Sequence, residues 1–119
     1  MDFKRISHYC LSKKGAYEDY PFGREVLVAK MASKMFALIS ERNNLLNISL
    51  KCNPILADNL RQQYPCITPG YHLNKTHWNT ILIDGSLTET ELFKMVDHSY
   101  ELIFKGLKKI EKETIQNEY

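Results

Sequence analysis

The densest collection of side chains able to do chemistry in this 119-residue sequence lies between Pro69 and Thr80. In Pro69-Gly70-Tyr71-His72-Leu73-Asn74-Lys75-Thr76-His77-Trp78-Asn79-Thr80, seven side chains are aromatic or polar-tipped: Tyr71, His72, Asn74, Lys75, His77, Trp78 and Asn79. No acid occurs between Asp58 and Asp84. Lysine, asparagine and histidine can hydrogen-bond phosphate, and tryptophan and tyrosine can stack on bases. On a turn projecting from a sheet, such a set suits a polyanion. The competing reading is structural: Trp78 and Tyr71 plug the core where a hairpin meets helices, while Asn74 and Lys75 form a turn. Tryptophan is highly buried on average, which favours that reading for Trp78 taken alone.

Recognised catalytic patterns are missing. The sequence has no glycine-rich phosphate loop, no GxSxG and no HExxH. His72 and His77 flank a turn and could share a metal between adjacent strands, but hydrogen-bonding or surface histidines are the simpler expectation. Cys66 stands in a loop upstream of both, with nothing near it to supply an oxyanion site or a low thiol pKa. Asp97 and His98 are consecutive on a helix and therefore do not face one another. Cys10, Cys52 and Cys66 are odd in number and lack a CxxC pair, so reduced thiols are expected, with no disulfide framework. No metal or other cofactor is expected, and no enzymatic activity.

The elements that must position these residues read as follows. Asp2 is a plausible N-cap, and Phe3, Ile6 and Cys10 have helical spacing, predicting a helix from about residue 3 to 13 that ends near Gly15. Ala16–Gly23 reads as a loop. The period then changes to two: Val26–Met31, Lys34–Ser40 and Leu45–Leu50 predict an antiparallel meander. In its third strand Leu46, Ile48 and Leu50 alternate with Asn47, Ser49 and Lys51, so one face is expected in the core and the other in water. Asn53-Pro54 starts a second helix with the stripe Leu56, Ala57, Leu60 and Tyr64, which stops before Pro65. A short strand around Tyr71–Leu73 and a longer one over His77–Ile83 follow. Thr88 and Glu91 have capping-box spacing and open a last helix to about residue 108, with residues 111–119 as a frayed tail. The order is α-β-β-β-α-β-β-α: an α+β two-layer sandwich, an antiparallel sheet with helices on one face. Residues 1–119 are expected to form a single domain.

Composition is that of an ordinary globular chain, with 44% hydrophobic and 25% charged residues. Collagen-like, coiled-coil and wholly disordered classes are excluded. No apolar stretch approaches the ~20 residues of a membrane helix, and the N-terminus lacks a signal-peptide block. A cytoplasmic protein with no membrane association is expected. The formal charge of +2 is unevenly spread. Residues 24–80 carry seven basic against three acidic side chains, and residues 81–119 carry five against eight. That basic middle is far weaker than a dedicated nucleic-acid patch.

Five stretches carry a family resemblance: Tyr20-Pro21-Phe22-Gly23, Lys34-Met35-Phe36-Ala37-Leu38, Leu50-Lys51-Cys52-Asn53-Pro54, the segment from Pro69 to Thr80, and Asp97-His98-Ser99-Tyr100-Glu101-Leu102. In order and spacing the sequence resembles the MmcQ/YjbR family over nearly its whole length. The resemblance implies a fold like that of the bacterial frataxin homologue. It also implies DNA binding through a double wing of β-hairpins, with no catalytic activity or required cofactor. Carried onto this chain, the wings are the hairpin around Lys30–Lys34 and the loop around His72–His77, with Lys34, Lys51, Lys75 and His77 as phosphate contacts. Two departures stand out: Lys13-Lys14 where the family often has an apolar residue and proline, and Met31-Ala32-Ser33 without the glycine frequent at that turn. Acids on helix one are too few for an iron-binding ridge, and fold does not fix function.

Three functions follow as expectations. The first is a small DNA-binding protein contacting phosphates through Lys34, Lys51, Tyr71, His72, Asn74, Lys75, His77 and Trp78. The second is a protein-interaction domain docking an unidentified partner on the exposed sheet face. The third is a small-molecule site or enzyme built around Cys66, His72, His77 and Trp78.

Overall fold

The computed structural model describes residues 1–117, the Arg42 side chain excepted. The elements run α1 (Phe3–Leu11), β1 (Ala16–Asp19), β2 (Val26–Met31), β3 (Lys34–Arg42), β4 (Leu45–Lys51), α2 (Pro54–Gln63), β5 (Ile67–Pro69), β6 (Trp78–Leu82), α3 (Glu89–Lys105) and α4 (Lys109–Gln116). The fold is α+β, with a six-stranded antiparallel sheet in the order β1-β2-β3-β4-β6-β5. No helix among the described residues is long and apolar enough to cross a membrane.

Register decides what faces the helices. Leu27, Ile39, Ile48, Ile81 and Ile67 are aligned across five strands and form one apolar row. They join Ile6, Cys10, Leu92, Val96 and Ile103 of α1 and α3 in the core. A second row on the same face, Ala29, Ala37 and Leu50, is small at its centre. Phe36 is the extra residue where the β2–β3 register shifts. Beyond the last β3–β4 pair, Ala37 with Leu50, the fully buried Ser99 of α3 takes over. Its Oγ accepts from the Lys51 N–H (2.9 Å) and donates to the Phe36 carbonyl (2.6 Å). Ser99→Ala leaves both groups without that partner and is expected to cost about 1–3 kcal/mol, read as a lower urea midpoint at unchanged slope.

Four differences from the sequence reading have physical causes. Ala16–Asp19 is a strand, paired along β2 as an edge. The short strand is Ile67–Pro69 rather than Tyr71–Leu73, with the proline on the sheet's outer edge, where no ladder donor is required. The first helix stops at Leu11. The last helical region divides at Gly106, and most of the expected tail is α4, whose Ile115 is buried. Gly15, at φ +77°, leaves Ile115 its seat: a Cβ there would stand 3.0 Å from that side chain. Residues 118–119 of the expected tail lie outside the described residues.

Candidate functional site

On the face of the sheet away from the helices, register aligns Val26, Ser40, Asn47 and Leu82 in one row and Val28, Leu38, Ser49, Thr80 and Thr68 in the next. This face was expected to meet water. Instead Asn47 is 5% and Ser49 6% exposed, because Tyr71-His72-Leu73 folds back over the strands. The loop is anchored from below. The Tyr71 N–H donates to Thr80 Oγ1 (2.9 Å), and Thr80 Oγ1 lies 2.8 Å from Ser49 Oγ. Gly70 permits this close approach, since a Cβ there would stand 2.8 Å from Trp78 Cβ. His72 sits at φ +58°, a region that costs a non-glycine residue about 1–3 kcal/mol and that the surroundings must hold in place.

Between this loop and the turn that carries Phe22 lies a groove of about 450 Å³. Its walls are Phe22, Tyr71, His72 and Leu73, and its floor is Val26, Leu38, Ser40, Asn47 and Ser49. Floor polarity is internally satisfied, with Ser40 Oγ donating to Asn47 Oδ1 at 3.2 Å. Phe22 is 58% and Tyr71 50% exposed, which is unusual for aromatic rings at the edge of a concave surface. Among the described residues, the carboxylates lining the groove are Glu25 and Glu41, with His72 on the wall.

Six of the eight expected phosphate contacts fall into two groups. Tyr71 and His72 wall the groove. Lys34, Lys51, Lys75 and His77 gather at one end of the sheet, because β3 and β6 begin where β4 ends. There Lys34 and His77 are exposed, while Lys51 is half-buried. The Lys75 ammonium donates to the Gly70 carbonyl (2.8 Å), and Asn74 Oδ1 accepts from the Thr76 N–H (2.9 Å), so both also hold the loop together. Trp78, at 9% exposure, is built into the fold beneath Gly70 and offers no open face for stacking. Cys66 is buried in the core at the far end of β6 from His77, which dissolves the Cys66–His77 grouping. Burial also pushes the Cys66 thiol up. Among the described residues no three His, Cys, Asp or Glu side chains come together as metal ligands.

Sequence reasoning missed Arg61. Its Nε donates to Asn79 Oδ1 (2.6 Å), and its Nη2 donates to the Trp78 carbonyl (3.1 Å) and to the Lys75 carbonyl. One guanidinium thus ties α2 to β6 and to the loop that roofs the groove. Those acceptors lie 14 to 18 residues away and two are main-chain, so no side-chain pattern announces them.

Glu91 of the capping box is a second anchor. The Tyr64 hydroxyl first, then the Thr88 N–H and hydroxyl, hold its carboxyl below the usual glutamate range. A depressed folded pKa stabilises the protein above the unfolded value, and that contribution is lost as pH falls through the folded one. Denaturant midpoints are therefore expected to drop below the ordinary glutamate value of 4.5, and less steeply in Glu91→Gln than in the parent.

The YjbR family model matches residues 11–102. The uncharacterised YjbR protein of Escherichia coli K12 is 37% identical over 101 residues, spanning 85% of this chain and 86% of the relative. YbdF of E. coli O157:H7 is 35% identical over 97 residues, spanning 82% and 80%. The crystal structure of Deinococcus radiodurans DR2400, a DUF419 domain, superposes with a TM-score of 0.86 at 36% identity, covering 95% of this chain and 86% of that one. A Pseudomonas syringae protein superposes at 0.75 with 28% identity, covering 86% and 98%. The match runs from the last residue of α1 to Leu102 in α3 and takes in the groove and the loop that roofs it, and the chain belongs to the YjbR family.

Proposed function

We propose that this YjbR-family protein is a binding module without catalytic chemistry of its own, and that it docks a protein partner through the helix-free face of its sheet. The groove between Phe22 and Tyr71 carries this reading, with its exposed rings, satisfied polar floor and two carboxylates. Exposed aromatics in a concave setting are the residues that dominate protein interfaces. Glu25 and Glu41 select the sign of the partner: a segment presenting Arg or Lys, whose cation can also lie over the faces of Phe22 and Tyr71. The test is selection from a displayed random-peptide library. Enrichment of peptides that pair a basic with an apolar or aromatic residue supports the reading. No enrichment over empty support, or enrichment of acidic peptides, contradicts it.

A second reading, DNA binding through hairpin wings, draws on the gathering of Lys34, Lys51, Lys75 and His77 at one end of the sheet. Phosphate contacts of that kind give weak binding, about 10⁻⁴–10⁻⁶ M, that falls steeply with salt. A labelled duplex followed by anisotropy distinguishes the two. Saturable binding at low salt that is lost in Lys34→Glu would move the function to that end, whereas a flat titration would leave the groove as the recognition surface.

A further inference from the structure

On the helix-bearing face a cleft separates α2 from α3, bridged at one end by the hydroxyl of Tyr64, the C-cap of α2, donating to Glu91 (2.5 Å). Polar pins fix α2 to the sheet: Arg61 to Asn79 and the Trp78 carbonyl, and Asn79 Nδ2 to the Ala57 carbonyl. Its stripe of Leu56, Leu60 and Tyr64 borders a cleft of about 210 Å³, floored by Leu50 and Ile81 and bounded on the α3 side by Met95. Leu56 remains 40% exposed. An apolar cavity of about 150 Å³ holds benzene, so this one has room for a six-membered ring with a short arm.

Two donors border the cleft four residues apart on α3, and so on one side of that helix: Lys94 and His98. His98 Nε2 accepts from the Asn53 N–H (3.2 Å), which puts the proton of the neutral ring on Nδ1. Among the described residues that Nδ1–H meets no acceptor, and Lys94 makes no direct ion pair, although it lies within electrostatic reach of Glu91. The neighbouring carboxylate, Glu91, is engaged by Tyr64 and Thr88. The cleft thus combines an apolar interior with one ammonium that makes no direct hydrogen bond and one N–H without an acceptor, beside the engaged carboxylate of Glu91.

We propose that the α2–α3 cleft is a binding site for a small monocarboxylate with an aromatic or short aliphatic body, its carboxylate held by Lys94 and His98. This site is separate from the sheet-face groove and does not depend on it.

Calorimetric titration of the full chain with 3-phenylpropionate and with hexanoate tests it, with 3-phenylpropanamide as the uncharged control. Saturable binding of one of the acids is expected. Lys94→Gln should weaken the acid about tenfold, the worth of one charge-assisted contact, and leave the amide unchanged. Leu56→Trp, which fills the cleft from its exposed side, should remove binding. Cys52 borders the same cleft at 6% exposure, so bound acid should also slow its alkylation. Failure of both acids to saturate by about 10 mM would overturn the proposal, since such affinities lie beyond the weakest specific range. So would binding that Lys94→Gln leaves unchanged, or weakens equally for acid and amide.

Discussion

Arg61→Met is expected to lower stability by about 2–3 kcal/mol, because it removes hydrogen bonds from a charged donor and leaves the buried Asn79 Oδ1 without its guanidinium. Methionine keeps the aliphatic bulk, so the loss isolates the donor fork rather than the packing. Arg61→Lys should recover less than half of it, since an ammonium cannot reproduce the planar arrangement that reaches Asn79, Trp78 and Lys75 together. Urea denaturation gives the size of the effect. Amide exchange should show its location: faster exchange at the amides of His77 and Trp78, which bond to the Asn74 carbonyl, before β2 and β3 respond. Uniform loosening across the sheet would mean that Arg61 serves general stability and does not specifically hold the loop.

The double substitution Phe22→Ala with Tyr71→Ala is expected to weaken a selected basic peptide at least thirtyfold, with the folded state retained. Both rings are half exposed or more, so truncation removes little core packing. Interface aromatics that act as anchors are each worth about 2 kcal/mol or more, which corresponds to about thirtyfold in affinity. Glu41→Lys, on the rim, should act mainly through the association rate and become less damaging as salt rises. A double variant that binds as tightly as the parent would place the peptide elsewhere.

Much of this architecture was legible because the relevant forces are local. Alternation gave β2 and β4 nearly to the residue, Asn53-Pro54 marked the start of α2, and the Thr88–Glu91 box opened α3. What failed depends on distant partners. Ala16-Tyr17-Glu18-Asp19 has no apolar alternation and becomes a strand only because β2 offers it an edge. Lys109–Gln116 is mostly charged and polar, and its fixed point is Ile115 lying against a glycine a hundred residues earlier. The segment from Pro69 to Thr80 stands out by composition, yet composition could not show which way it folds. Returning over the sheet, it buries Asn47 and Ser49 and converts Tyr71 and His72 from wing-tip residues into a wall. Phe22 stood out only within the Tyr20–Gly23 motif, and nothing linked it to Tyr71 before the fold brought both to one groove.

Recognition on the helix-free face of the sheet has a direct signature in solution. Backbone amide NMR of the labelled chain, titrated with a library-selected peptide, tests it most directly. Shifts are expected to concentrate at Ser40, Asn47, Ser49 and Tyr71–Leu73, with the turn that carries Phe22, and little change is expected along α2 and α3. Shifts confined to Met31–Lys34 and Asn74–His77, or to the α2–α3 cleft, would contradict it.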